Sequence, residues 1–123
     1  MPAISWAAVA CMQPRHCAVD VGGSSEWRAG VGPARWPLAW PFRSLAQAGA
    51  ALAFSSDWNV AEMDPLTGIY TALTRQGLSG GHPFVPEQAI DLATAIRAYT
   101  AGGAYANFCE HHRGSLAPAR PPT

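Results

Sequence analysis

A run of strand length, Ala51-Leu52-Ala53-Phe54, ends on Ser55-Ser56-Asp57 and Trp58, and the helix-starting pair Asp64-Pro65 follows soon after. A parallel strand buried on both faces reads as an unbroken apolar run of this kind, and its C-terminal end is where α/β folds carry their chemistry. The run therefore predicts a strand near residues 50–55 with an acid at its exit. A carboxylate delivered there can act as a general base or a metal ligand. An aspartate in a loop also serves simply to cap a turn or a helix, and the local pattern leaves both roles open for Asp57.

The surrounding chain predicts an α/β step. Phe42 to Ala48 has the marks of a short helix, with Pro41 at its entrance and Gly49 placed for a left-handed C-terminal cap. Asp64 caps a second helix with Pro65 in its first position, and Leu66, Ile69, Tyr70 and Leu73 fall on one face. Asp91 opens a third helix over 92–100, with Leu92, Ala95, Ile96 and Tyr99 expected inward and Gly102-Gly103 expected to break it; a further short helix covers 104–108. Ile4 to Met12 is mostly apolar and suits a buried strand stopped by Gln13-Pro14, although a short buried helix gives the same pattern. Residues 18–41 read as irregular, punctuated by Gly22, Gly23, Gly30, Gly32, Pro33 and Pro37. Trp27, Trp36 and Trp40 in that stretch need a neighbouring surface to cover them. Residues 114–123 read as a disordered tail.

The 123 residues suffice for one small domain. Eight acids balance eight bases, all of them arginine, so the chain shows no electrostatic footprint for nucleic acid or an anionic membrane. Charged residues make up only 13%, low for an independent small domain and suited to a piece buried against something larger. Cys11, Cys17 and Cys109 have no metal-like spacing and are expected to be free thiols in a reducing compartment. Neither a signal peptide nor a membrane span is evident, so the expectation is a soluble, cytoplasmic chain.

Several segments in fixed order resemble the C-terminal part of the amidohydrolase family 3 proteins, metal-dependent hydrolases of the amidohydrolase superfamily. They are Met12-Gln13-Pro14-Arg15-His16, Trp40-Pro41-Phe42-Arg43-Ser44-Leu45, Ala48-Gly49-Ala50, Leu52 to Val60, Asp64 to Tyr70, Ala98-Tyr99-Thr100, Gly103 to Ala106, and Gly114-Ser115-Leu116. The family's strand ending F-G-S-D-[WF]-P-V reads here Phe54-Ser55-Ser56-Asp57-Trp58-Asn59-Val60. The resemblance implies a partial (β/α)8 TIM barrel over residues 1–113. It comprises the last two βα units and C-terminal helices, with strand seven near 7–12, strand eight near 50–55 and an irregular N-terminal loop region. It implies that Asp57 is the strand-eight aspartate, a metal contact that relays the proton of a metal-bound water; His16 falls at a pocket-lining position or is a loop histidine without a role, and Trp58 either walls the substrate pocket or packs the strand-eight exit.

The activity implied is hydrolysis of a C–N bond in a small-molecule amide or cyclic amide, with a divalent metal, zinc by preference, as cofactor. An H-x-H pair and the family's lysine are missing from this chain, and one carboxylate does not hold a catalytic zinc, which takes three or more protein ligands. The chain is thus expected to be an inactive fragment that binds no metal stably by itself. Alternatives are a non-enzymatic partner that completes a barrel supplied by another polypeptide, or self-association through exposed barrel edges, or a small unrelated α/β binding domain. The adjacent pair His111-His112 is expected to have no ligand role, because neighbours on a helix or turn point apart, and His82, in a Gly/Pro loop, is expected to have none either.

Overall fold

The structure, a computed structural model, describes residues 8–18, 20 and 24–116. It is a mixed α/β arrangement in which strand β1 (Val9–Met12) pairs in parallel with β2 (Ala51–Phe54). The register sets Val9 beside Ala51 and Met12 beside Phe54, so the two strands end level with one another. Ala51 N–H donates to the Ala8 carbonyl at 3.0 Å, and Ser55 N–H to the Met12 carbonyl at 3.1 Å. The alternative of a helix for the first apolar run is thereby excluded over the residues described.

Between the strands run α1 (Ser24–Val31), a 3-10 segment over Pro33–Leu38, and α2 (Phe42–Gln47). Helix α3 (Pro65–Thr74) follows β2, and α4 (Leu92–Arg97) comes after a long loop. The expected caps are present. Asp64 accepts from Leu66 N–H at 2.9 Å, Asp91 accepts from Thr94 N–H at 2.9 Å, and Gly49 takes a left-handed φ of 86° after α2.

Three expectations need correction. The irregular N-terminal region contains α1 and the 3-10 segment, while Gly22 and Gly23 lie outside the described residues. Ser24-Ser25-Glu26 starts α1 with hydroxyls and an acid, both favourable at a helix N-terminus. Gly32, at φ 81°, closes it with an N–H to the Arg28 carbonyl at 3.1 Å. The Trp rings supply the packing: Trp27 lies 4.5 Å from Trp40, and Trp36 and Trp40 meet Phe84 edge-on at 5.5 and 6.3 Å between centroids.

Gly102-Gly103 does not break the third helix. The backbone continues from α4 through a π-helical turn (Ala98–Gly102) into α5 (Gly103–Ala106). Gly102 is needed for contact rather than for a stop, because a Cβ there would collide with the Leu52 carbonyl oxygen. Nor do the expected inward faces hold throughout. Ala95 is buried and Ile69, Leu73 and Tyr99 pack on the core, but Leu66, Tyr70, Leu92 and Ile96 are exposed.

The main core joins Phe42, Leu52, Phe54, Ala72, Ile90, Ala95 and Ala98, with Ala10 and Met12 reaching it from β1. Phe54 packs tilted against Phe42, with ring centroids 5.0 Å apart, and edge-on to Tyr99, at 5.5 Å. Burial pushes the Tyr99 phenol up to about 12, since the charged form would lose its hydration. A second cluster of Cys17, Ala39 and Phe84 sits beneath the Trp rings. Arg75 is fully buried there and donates to the carbonyls of Phe84, Trp40 and Ala39 at 2.9, 3.1 and 3.2 Å. Arg28 lies 3.7 Å over the Phe84 ring and donates to the Cys17 carbonyl.

All three cysteines are free, as expected. Burial pushes the Cys17 thiol up despite the opposing pull of Arg75, Arg28 and Arg15, which makes it a packing residue rather than a nucleophile. Gly114 to Leu116 are described, with Gly114 close against Thr100, Ala101 and Ala104; residues 117–123 of the expected tail lie outside the described residues.

Candidate active-site edge

Because β1 and β2 are parallel and in level register, whatever follows each strand emerges at the same end. After β1, Gln13 leads into a 3-10 turn (Pro14–Cys17) that carries Arg15 and His16. After β2, Ser55 and Ser56 lead to Asp57 and Trp58. Gln13 Nε2 donates to Ser55 Oγ at 3.4 Å across the gap, and His16 Nε2 stands 3.1 Å from Asp57 Oδ2. The His16 side chain is mostly covered, with 20% exposure, whereas Asp57 keeps 55% and its second oxygen is free of side-chain partners among the described residues. Asp57 adopts a left-handed φ of 57°, a conformation that aspartate tolerates better than most residues. Trp58 is 65% exposed beside it.

Of the three site residues expected from the sequence, His16 and Asp57 are thus in contact, and Trp58 follows Asp57 in the chain with its side chain exposed. His82, His111 and His112 are exposed; His111 stands 4.0 Å from its neighbour Glu110. Sequence reasoning missed a layer under the site. Arg15, only 1% exposed, holds Glu62 through Nε at 2.9 Å and Nη2 at 3.4 Å, Asp20 at 3.3 Å, and the Thr71 hydroxyl at 3.0 Å. Asp20 also accepts from Leu78 N–H at 2.7 Å. Burial disfavours the Arg15 charge, but Glu62 and Asp20 more than offset it, and its pKa is raised. The Arg15 hydrogen bond in turn lowers the Glu62 carboxyl from its ordinary value. The signal in the sequence was faint: an arginine directly before the pocket histidine, in a chain with few charges.

No group of three or more His, Cys, Asp and Glu able to hold a metal occurs among the described residues. The residues present therefore do not make a metal site. They offer one half-exposed carboxylate, steadied by an imidazole, on the rim of a parallel strand pair. Such a carboxylate can accept a proton from a bound water or add one oxygen to a site whose other ligands come from elsewhere.

Comparison with known proteins gives this rim its context. An amidohydrolase family model matches residues 2–121, and the chain belongs to that family. It is 40% identical over 79 residues to Protein LONG AFTER FAR-RED 3 of Arabidopsis thaliana, covering 64% of this chain and 14% of that protein. It is 30% identical over 76 residues to the N-substituted formamide deformylase of Arthrobacter pascens, covering 62% of this chain and again 14% of the relative. Two solved structures share the fold at TM-score 0.70. One is an uncharacterized metal-dependent hydrolase from Pyrococcus furiosus, 24% identical over 89% of this chain. The other is its counterpart from Pyrococcus horikoshii, 27% identical over 88%. The match takes in 21% of each of those chains. The 123 residues thus span about a seventh of the curated relatives and a fifth of the solved ones.

Proposed function

We propose that this chain is a fragment of a metal-dependent amidohydrolase, the last two βα units of a (β/α)8 barrel, and that it is inactive alone. In the complete enzyme the reaction is hydrolysis of a C–N bond in a small-molecule amide or cyclic amide, in the cytoplasm. The single observation behind this is the placement of Asp57 at the exit of β2, with His16 from the turn after the neighbouring parallel strand on its carboxylate and, among the described residues, nothing else of a metal cradle beside it.

Asp57 takes the proton of the attacking water and passes it to the leaving nitrogen, work worth a factor of about 10²–10⁴ for a positioned acid–base group. His16 fixes the carboxylate's orientation, and Trp58 walls the open side of the pocket. A divalent ion, zinc by preference, would add the acidification of bound water to a pKa of about 7. Asp57 would be one of its ligands and the rest would come from other strands of the barrel.

A second reading is favoured by β1. Among the described residues it has a partner on only one side, and Val9 and Cys11 are exposed along it. An uncovered parallel strand is unusual, since parallel sheets are normally buried on both faces. Another polypeptide carrying the rest of a barrel, or a second copy of this chain, would satisfy that edge.

Isothermal titration of the purified 123-residue chain with zinc, together with a hydrolysis assay on an N-substituted formamide, tests the fragment reading. No stoichiometric zinc binding at micromolar concentration and no turnover are expected. A one-to-one zinc complex with measurable hydrolysis would sink it.

A further inference from the structure

We propose that Arg15 is a positioning residue, whose buried guanidinium ties the turn bearing His16 to the loop bearing Asp57 and thereby sets the spacing of the two site side chains. The role rests on the hydrolase reading of that site, but the geometry behind it stands by itself. Arg15 immediately precedes His16, and Glu62 lies a few residues beyond Asp57 in one connected loop. Two of the guanidinium nitrogens meet the Glu62 carboxylate, one of the same nitrogens meets Asp20, and the third meets Thr71 on α3. A planar fork with several fixed donors is what arginine offers and lysine does not.

The loop needs such a tie. From Ser56 to Met63 its side chains reach the rest of the described residues through two hydrogen-bonded pairs, Asp57 with His16 and Glu62 with Arg15. Both carboxylates are about half exposed, but the second is anchored on a guanidinium with 1% exposure and the first on an imidazole with 20%. The left-handed backbone of Asp57 persists only where its surroundings over-determine it, and the Arg15–Glu62 pair, rooted in the interior through Arg15, contributes to that. Without it, the side-chain hydrogen bonding that holds the Asp57 loop reduces to the pair with His16, beside the packing of the buried Ala61.

The test uses the full chain labelled with 5-fluorotryptophan and with 15N-histidine, read by NMR without metal or substrate. Trp58 reports the loop and the His16 ring reports the turn, while Trp27, Trp36 and Trp40 report the separate aromatic cluster. Glu62→Gln and Arg15→Met are expected to displace the Trp58 and His16 resonances by more than a linewidth and leave those of Trp27, Trp36 and Trp40 in place. Arg15→Lys is expected to restore part of the native position. If Arg15→Met loses all native lines, Glu62→Gln decides, since Glu62 is 48% exposed and its replacement spares the core. Trp58 and His16 lines that stay native in a folded Glu62→Gln variant would overturn the positioning role and leave only a packing one. Because no metal or turnover enters the measurement, its failure leaves the hydrolase reading to be judged by the zinc titration and hydrolysis assay.

Discussion

His16 and Asp57, forty-one residues apart, meet at 3.1 Å across the ends of two parallel strands. Met12 and Phe54 end the two strands level with one another, and the pair forms in the turns just past them. A histidine on a half-exposed carboxylate orients it without removing it from water.

That orientation gives the first prediction. In a complete enzyme containing this segment, Asp57→Asn keeps the shape of the side chain and the tolerance of a left-handed backbone but cannot accept a proton. Turnover should fall by about a hundredfold or more, the contribution of a positioned general base, with the substrate KM changed far less. A rate within a few-fold of the parent would reduce Asp57 to a loop cap.

Acid should weaken the fold through the layer beneath the site. Arg15 holds the Glu62 carboxyl below its ordinary 4.5. At Asp20, burial pulls the other way, but the Leu78 N–H and Arg15 prevail and the pKa lies below 3.8. A carboxyl whose pKa is depressed by folding stabilises the native state fully above its unfolded value, and that stabilisation is lost as pH falls through the folded value. The urea midpoint should therefore drop as pH is lowered from about 5 toward 3, and Glu62→Gln should shallow the decline. A midpoint equally steep with acid in both proteins would assign the loss to other groups.

Arg75 carries a different kind of risk. Its guanidinium has three carbonyl acceptors and no carboxylate among the described residues, and burial lowers its pKa from the ordinary value. Arg75→Met removes a costly charge yet strands three carbonyls of the 39–40 and 84 segments. Bonds to a charged donor are worth roughly 1.5–3 kcal/mol each, so the net effect should be destabilising by about 3 kcal/mol or more. Thermal melts followed by tryptophan fluorescence would detect it, and an unchanged midpoint would mean that water or relaxed backbone replaces the arginine.

Gly102→Ala sets two effects against each other. Alanine improves helix propensity by about 1 kcal/mol, while overpacking costs about 1–3 kcal/mol. Here the clash is with the Leu52 backbone carbonyl, which cannot rotate away as a side-chain tip can. The variant should be less stable in urea, whereas Gly103→Ala, with only the Ala98 carbonyl at 4.0 Å, should be neutral or better. Equal midpoints for the two would contradict the close approach.

The parts legible in the sequence were those written locally. The apolar run before Asp57, the Asp64-Pro65 start, the Asp91 cap and Gly49 each carry their instruction within a few residues. Helix α1 escaped because Gly30 and its neighbouring prolines look like loop, while its stability comes from Trp36 and Trp40 packing from outside it. Arg15 escaped for the same reason on a longer scale, since Glu62 and Thr71 are 47 and 56 residues away. Leu66 and Ile96 kept the helical spacing of a core face, yet among the described residues they remain exposed.

Strand β1 offers Val9 and Cys11 to one side and Ala10 and Met12 to the other, and all four are apolar. Sliding it by one position would swap the two sets at little hydrophobic penalty, because the alternation that ordinarily forbids a slip is missing. The same slide would carry His16 about 3.3 Å along the strand axis, out of reach of Asp57. Alignment of the two chemical groups is thus encoded not in the ladder but in the polar fastenings just past its end, Gln13 with Ser55 and Arg15 with Glu62.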